Sequence, residues 1–176
     1  MRLRLVSESF SYEPGILGGS IPSGMSRDTL EVGLGSGEDV YQEAREALRN
    51  WVPFGLEWAG ISTGGRAPTP GLDVVVFASL LGVNLTAACR VVATHEAEDG
   101  TEARCGFTYG SLQSHLETGE ELFEVVRGSD GRVTYRIDVM ARPGRWYTRL
   151  AKPLAEHYRR RFRQDSAAAM RRFVSE

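Results

Sequence analysis

The chain has 176 residues, of which 41% are hydrophobic and 25% charged, a composition typical of a globular protein with a core of its own. We therefore expect a single domain over residues 1–176. The longest apolar runs, such as residues 74–78, are too short to span a bilayer. Residues 1–6 (MRLRLV) lack the long apolar stretch of a signal peptide. These features argue against insertion into a membrane and predict a cytoplasmic location.

The two cysteines suggest neither a metal site nor a disulfide framework. Cys89 and Cys105 have no CxxC spacing and no neighbouring His or Cys, as a zinc site would usually have. We expect both to be reduced thiols in the core, the usual state of buried cytosolic cysteines. The sequence therefore predicts no metal.

Charge is distributed unevenly along the chain. Residues 1–141 carry 11 basic and 20 acidic side chains, whereas residues 142–176 carry 10 basic and 3 acidic ones. Such a split can mark an anionic partner, but we favour an acidic body that packs against a basic helix. Arginines in residues 158–163 (YRRRFR) could meet phosphates. Because Tyr158 and Phe162 lie on the apolar side of the predicted helix, we predict no nucleic-acid binding.

The first part of the chain predicts an irregular lead-in, a short strand and a helix. Residues 1–28 are rich in Gly, Pro and Ser, and a strand is predicted over residues 29–33. A helix is predicted over residues 38–51, with Ser36 as its cap and Asp39 completing a capping box. Its apolar positions recur at helical spacing and are Val40, Ala44, Ala47, Leu48 and Trp51.

The glycine-rich loop before this helix differs from a phosphate-binding loop. Such a loop needs a helix N-terminus that is free to receive an anion. Glu38 and Asp39 occupy that first turn, and no P-loop lysine is present. We therefore predict a tight turn and no cofactor.

From residue 72 the hydrophobic pattern alternates with a period of two, which predicts antiparallel strands. The predicted strands cover residues 72–80, 83–94, 101–109, 120–127 and 132–140, with turns at 95–100 and 128–131. One face of the second predicted strand carries Val83, Leu85, Ala87, Cys89, Val91 and Ala93, and one face of the third carries Ala103, Cys105, Phe107 and Tyr109. Phe107 and Tyr109 are predicted to point inward, together with Val133, Tyr135, Ile137 and Val139 of the last strand. Among the other polar residues, we expect Arg90 to pair with Glu102, and His95 and His157 to be solvated.

A long basic helix is predicted over residues 145–174, with Pro153 in the first turn of its main part. Its apolar stripe comprises Trp146, Leu150, Leu154, Tyr158, Phe162, Ala169 and Phe173. The order of elements predicts an α+β fold, in which a curved antiparallel sheet of about six to seven strands grips the C-terminal helix. This arrangement resembles the helix-grip architecture of START-type and birch-pollen-allergen-like domains.

Residues 106–123 (GFTYGSLQSHLETGEELF) gather the candidate functional groups. Tyr109 ends a strand on its inward face, and Gly110 is expected to provide the positive φ of a sharp turn. His115 follows in a loop, and only one of Glu120 and Glu121 can share a face with Tyr109. Tyr109, His115 and one glutamate could carry out general acid–base chemistry. The alternative, which we favour, is that they tie down a turn by hydrogen bonds.

The same segment resembles uncharacterised protein family 0548, a family of small proteins found in bacteria and plants. The resemblance rests on a Tyr-Gly-Thr-Leu turn, a histidine, Gly-Glu-Glu and an aromatic residue. The matching positions are Tyr109, Gly110, Ser111, Leu112, His115, Gly119, Glu120, Glu121 and Phe123. Ser111 stands where the family has threonine, and Ala141 stands where serine is common. The family implies the helix-grip fold but no reaction.

A helix-grip fold usually encloses a cavity, so our leading prediction is a protein that binds a small hydrophobic or amphipathic molecule. The expected ligand-binding residues are Tyr109, His115, Glu120, Glu121, Phe107 and Tyr135. The first alternative is an enzyme of cyclase or hydrolase type, with Tyr109, His115 and Glu121 as catalytic candidates. The second is a module that binds a partner through Arg159, Arg160 and Arg163. Because no nucleophile elbow or metalloprotease motif is present, binding is favoured over catalysis.

Overall fold

The described part of the chain, residues 8–80, 82–144 and 152–175 of a computed structural model, forms a seven-stranded antiparallel sheet and two α-helices. In chain order these are β1 (Ser26–Ser36), α1 (Glu38–Arg49), β2 (Ala59–Ser62), β3 (Asp73–Leu80), β4 (Val83–Glu98), β5 (Ala103–Ser111), β6 (Glu117–Arg127), β7 (Arg132–Pro143) and α2 (Lys152–Phe173). The strand order is β1-β7-β6-β5-β4-β3-β2. The curved sheet packs its concave face against α2, which confirms the predicted α+β helix-grip fold.

An aromatic cluster joins the concave face of the sheet to α2. Phe107 and Phe123 stack with their ring centroids 5.1 Å apart, and Phe123 meets Phe162 of α2 edge-on at 6.4 Å. Phe54, which follows α1, bridges Phe123 at 5.1 Å and Phe162 at 5.3 Å. Burying each such ring stabilises the fold by about 1.5–3 kcal/mol, so the cluster anchors α2 to the sheet.

The N-terminal elements differ from their predicted bounds. β1 begins at Ser26, inside the predicted lead-in of residues 1–28, and residues 1–7 lie outside the described part. β1 is the partner of β7 over ten residue pairs with a bulge between Gly33 and Gly35. The sequence predicted only the middle of this strand, because residues 26–28 are polar and the strand lies at the sheet edge with most of its side chains exposed.

α1 is shorter than predicted and is capped differently. It ends at Arg49 rather than residue 51, because Trp51 adopts a left-handed backbone with φ 58°. The indole N–H of Trp51 donates to the Arg66 carbonyl at 2.8 Å. The predicted capping box does not form, since Gly37 is the N-cap and Ser36 remains in β1.

β2 was not predicted from the sequence. It pairs with β3 over four residues, with Gly60 opposite Phe77. The Phe77 ring lies over this glycine so closely that a Cβ at residue 60 would be 2.4 Å from Cζ. A strand of four residues is too short to show an alternating hydrophobic pattern. It is recognised only through its pairing with β3.

The predicted turn at residues 95–100 is wrong, because β4 runs on to Glu98 and the turn falls at residues 99–102. β4 contains a bulge between Val91 and Ala93, which accommodates one residue that has no partner in β5. His95 is consequently part of the strand, and its Nε2 lies 2.9 Å from Glu124 Oε1, instead of being solvated.

The stripe predicted for α2 is only partly correct. Residues 145–151, including Trp146 and Leu150, lie outside the described part. Phe162 and Ala169 face the core, but Leu154 is 51% exposed and Phe173 is 36% exposed. The most buried side chains of the helix are instead Ser166, Met170, Ala167, Ala169 and Arg163. Neither of the described helices is long and apolar enough to cross a membrane.

The charge asymmetry corresponds to contacts between α2 and the sheet. Arg159 pairs with Glu117 of β6 at 3.1 Å, and Arg163 pairs with Asp28 of β1. The acidic body therefore packs against the basic helix, as predicted.

Candidate functional site

A cavity of about 260 Å³ lies between the concave face of the sheet and α2. Its wall is apolar along β3 and β4 and carries polar groups along β5, β6 and the helix. The lining residues include Trp58, Val76, Ala78, Leu80, Leu85, Cys89, Tyr109, His115, Glu117, Glu121, Val139, Tyr158, Arg159, Phe162 and Arg163. The cavity thus has the combination of apolar wall and few polar groups that is typical of a ligand site.

The centre of the polar wall is a hydrogen bond between Tyr109 and Glu121. These residues are partners in the β5–β6 ladder, so their side chains share the concave face. The Tyr109 hydroxyl donates to Glu121 Oε2 at 2.7 Å. This pairing shows which of the two neighbouring glutamates accompanies Tyr109.

Glu120 points to the opposite, convex face, where it holds the segment that precedes β1. Its Oε1 accepts from the Tyr12 hydroxyl at 2.9 Å and from the Gly15 amide at 2.5 Å. Its Oε2 accepts from the Leu17 amide at 3.4 Å. Glu120 is 3% exposed and also borders the cavity, but its two carboxylate oxygens are bonded to this segment.

His115 lines the cavity but is not part of the Tyr109–Glu121 hydrogen bond. Its Nδ1 accepts from the Glu117 amide at 2.9 Å, and within the described residues it makes no hydrogen bond to Tyr109, Glu120 or Glu121. Burial lowers the pKa of His115 to about 4. The imidazole is therefore neutral at pH 7 and closes the β5–β6 turn.

Phe107 and Tyr135 lie in the core and do not line the cavity. Phe107 is 1% exposed beneath Phe123. The Tyr135 hydroxyl lies 2.8 Å from the Ser166 Oγ of α2, and this contact fastens the helix to β7. Both residues pack in the core next to the cavity without lining it.

Burial strongly perturbs the acids of the cavity. It raises the pKa of Glu121 to about 7, although the bond from Tyr109 and the nearby Arg163 oppose this shift. Burial and the Glu121 charge raise the pKa of Tyr109 well above its ordinary value. Glu121 therefore exchanges its proton near neutral pH, while Tyr109 stays protonated and donates to the ionised carboxylate.

Three charged residues of the cavity were not singled out as ligand-binding residues in the sequence. Glu117, Arg159 and Arg163 line it together with Glu121. Burial raises the pKa of Glu117, which Arg159 partly offsets. The charge asymmetry of the chain was the available signal, but the side of α2 that carries each arginine follows only from how the helix packs.

The partner predicted for Arg90 is wrong. Arg90 lies opposite Asp73 in the β3–β4 ladder, and its Nε donates to Asp73 Oδ1 at 2.5 Å. Glu102 is distant because it lies in the β4–β5 turn at residues 99–102, at the far end of β4. Within the described residues, no group of three or more His, Cys, Asp or Glu side chains is placed to hold a metal ion.

Two solved structures have the same architecture as this chain, and at their low sequence identity the similarity concerns the fold only. A hypothetical protein from Helicobacter pylori aligns with a TM-score of 0.57 and 9% identity, covering 85% of this chain and 87% of its own. Ara h 8.0201 aligns with a TM-score of 0.51 and 12% identity, covering 86% and 98%.

Relatives at the sequence level span most of the chain. A UPF0548 protein from Dictyostelium discoideum is 29% identical over 156 residues, covering 84% of this chain and 72% of the relative. A UPF0548 protein from Deinococcus radiodurans is 28% identical over 172 residues, covering 91% and 84%. These relatives confirm the resemblance to protein family 0548. Since the family model described as "Domain of unknown function (DUF1990)" also matches residues 11–169, this chain belongs to that family.

Proposed function

We propose that this protein binds a small hydrophobic or amphipathic molecule in the cavity between the sheet and α2. The observation that carries the proposal is the cavity of about 260 Å³ with the Tyr109–Glu121 pair on an otherwise largely apolar wall. An engineered cavity of roughly 150 Å³ already binds benzene, so there is room for a ligand of one ring with a short substituent. The two buried free thiols, Cys89 and Cys105, agree with a cytoplasmic setting.

The first test compares two variants of β3 that receive the same substitution on opposite faces. Val76 lines the cavity, whereas its neighbour Val75 points to the other side of the sheet. Val76→Phe should fill the cavity and abolish binding, because the added ring occupies the ligand volume. Val75→Phe is the matched control and should bind like the native protein.

Binding is measured in two ways. Native mass spectrometry of protein from its own host should detect a retained small molecule, and NMR titration with 2-phenylethanol should shift the amides of Tyr109 and Glu121. Undiminished binding by Val76→Phe would contradict the proposed location. No retained mass together with no saturable shift in the native protein would contradict ligand binding itself.

A second candidate function is acid–base catalysis in the same cavity, with Glu121 as the base rather than His115. The specific observation is that Glu121 has a pKa of about 7 and accepts a hydrogen bond from the Tyr109 hydroxyl at 2.7 Å. A base whose pKa lies near the working pH is suited to proton transfer. Catalysis predicts that Glu121→Gln purified from the host retains a molecule of different mass from the native protein, because conversion stops. Identical retained masses would favour binding alone.

A further inference from the structure

We propose that Glu121 binds the ammonium group of a small amine, whose aryl or short alkyl group fills the apolar part of the cavity. This inference rests on the proposed function, because it names the class of ligand that the same cavity takes.

The Glu121 carboxylate has one oxygen engaged and one oxygen available. Oε2 accepts from Tyr109 at 2.7 Å, whereas no donor from residues 8–80, 82–144 or 152–175 is bonded to Oε1. Glu121 is only partly exposed, and a carboxylate oxygen with restricted access to water and no donor is unfavourable. An N–H group of a ligand would supply a donor, and Tyr109 already holds the acceptor in position.

The arginines near the cavity are already paired with other carboxylates. Arg159 pairs with Glu117 at 3.1 Å, and Arg163 pairs with Asp28. With Glu121 ionised, these two arginines and three carboxylates leave a net charge of −1. An ammonium group would neutralise it, whereas a ligand carboxylate would add a second uncompensated negative charge in a poorly solvated place.

The tyrosine, cysteine and histidine side chains around Glu121 are uncharged at neutral pH. Tyr109 on β5, Tyr135 on β7 and Cys89 on β4 all have a pKa raised mainly by burial, so they stay protonated. His115 in the β5–β6 turn has a pKa lowered by burial to about 4, so it stays neutral. The other acids on β6 are Glu117, which pairs with Arg159, and Glu120, whose carboxylate is bonded to Tyr12, Gly15 and Leu17 on the opposite face. Arg159 and Arg163 on α2 are the bases described above.

The apolar part of the cavity limits the rest of the ligand. Its wall is formed by Trp58, Val76, Ala78, Leu80, Leu85, Val139 and Phe162. With a total volume of about 260 Å³, the cavity accommodates one aromatic ring or a short alkyl chain beside the ammonium group.

The experiment uses three probes that share one carbon skeleton and differ in the polar group. 2-Phenylethylamine, 2-phenylethanol and phenylacetate are titrated into the native protein at pH 8 and followed by NMR and calorimetry. A charge-assisted hydrogen bond gives the amine an expected advantage of at least about tenfold over the alcohol. Phenylacetate should bind more weakly than either.

Glu121→Gln tests whether this carboxylate is responsible. The amide keeps the shape and the acceptor oxygen but removes the charge, so the variant should bind the alcohol and lose the preference for the amine. Glu31→Gln is the control, since it removes a carboxylate from an exposed position on β1, and it should keep the preference.

A pH series on the native protein tests the inference without any variant. Because burial raises the pKa of Glu121 to about 7 and only the ionised form attracts ammonium, amine affinity should rise about tenfold from pH 6 to pH 8. The affinity for the alcohol should not show this rise.

The outcomes separate the inference from the proposed function. Equal binding of amine and alcohol, or a preference that survives in Glu121→Gln, overturns the amine inference and leaves ligand binding in place. Absence of binding by all three probes, with no molecule retained from the host, overturns both.

Discussion

Neighbouring residues at the junction of β5 and β6 serve opposite faces of the sheet. Tyr109 and Glu121 meet above the concave face, whereas Gly110 and Glu120 contact Tyr12 on the convex face. The strand period of two places them this way. Consecutive residues therefore serve the cavity on the concave face and the attachment of Tyr12 on the convex face. A substitution at one of these residues tests only the face to which its side chain points.

Removing the Tyr109 hydroxyl should raise the pKa of Glu121 further. The bond from Tyr109 stabilises the ionised carboxylate and lowers its pKa against the effect of burial, which sets it at about 7. In Tyr109→Phe we expect a rise on the order of one pKa unit, the equivalent of one hydrogen bond. The measurement is a pH titration of ¹³C-labelled glutamate side chains by NMR.

Tyr135→Phe is the matched control for this titration. Its buried hydroxyl bonds to Ser166 instead of to Glu121, so the pKa of Glu121 should remain near that of the native protein. If Tyr109→Phe left the pKa of Glu121 unchanged, the hydrogen bond would not be what holds this carboxylate.

At the scale of elements, the sequence correctly indicated that only one of Glu120 and Glu121 accompanies Tyr109. It did not indicate which one, because that depends on the β5–β6 register. The register pairs Tyr109 with Glu121 and Gly110 with Glu120. A shift of one residue would have exchanged their faces.

Gly110 was expected to form a sharp turn with positive φ, and this prediction is wrong. β5 continues through Gly110 to Ser111, and the backbone at Gly110 is not in the left-handed region. The glycine is needed for close packing, since a Cβ there would lie 1.9 Å from the Tyr12 hydroxyl. The turn itself follows, and the Glu117 amide bonded to His115 lies at its end.

Gly110→Ala should therefore detach the segment that precedes β1 without unfolding the sheet. The added methyl group displaces Tyr12 from Glu120, and the bonds from Gly15 and Leu17 weaken with it. Hydrogen exchange of residues 8–18 should become faster, whereas exchange in β5 to β7 should change much less.

Gly33→Ala serves as the control, because a Cβ at Gly33 meets nothing within 4 Å. It should leave exchange of residues 8–18 unaffected. Equal protection of this segment in Gly110→Ala and the native protein would show that Tyr12 does not hold it in place.

At the scale of the whole molecule, two partly buried groups of the cavity make stability depend on pH in opposite directions. The pKa of Glu121 rises from 4.5 to about 7 on folding, so its contribution is present below pH 4.5 and is lost as pH rises to 7. The pKa of His115 falls from 6.5 to about 4, so its contribution is present above pH 6.5 and is lost as pH falls to 4.

Between about pH 4.5 and 6.5 the two effects should largely cancel in the native protein. His115→Gln should leave the Glu121 effect, so its free energy of unfolding should fall as pH rises from 5 to 7. Glu121→Gln should show the opposite slope. Each slope should amount to about 1–3 kcal/mol over this range, from 1.36 kcal/mol per pKa unit and allowing for partial solvent access.

Urea unfolding at constant ionic strength over pH 4.5–7.5 measures these slopes. The native protein should vary less than either variant. Parallel pH profiles for all three proteins would mean that neither side chain changes its pKa on folding.

The sequence by itself determined the fold class, the β3–β7 strands, and the family. Periods of two and of 3.6 residues are local properties, and the buried faces of β5 and β7 followed from them directly. The motif of residues 109–123 was likewise readable because its residues are close together in the chain.

Only the tertiary structure decided which residues form the cavity. Long-range packing brings Arg159 and Arg163 of α2 beside Glu117 and Glu121 of β6, and it places Phe107 and Tyr135 in the core beneath them. The perturbed pKa of Glu121 has the same origin, since burial is a property of the assembled sheet and helix. Local pattern could indicate which residues face inward but not which of them meet a cavity, because the path of the helix across the sheet sets where space remains.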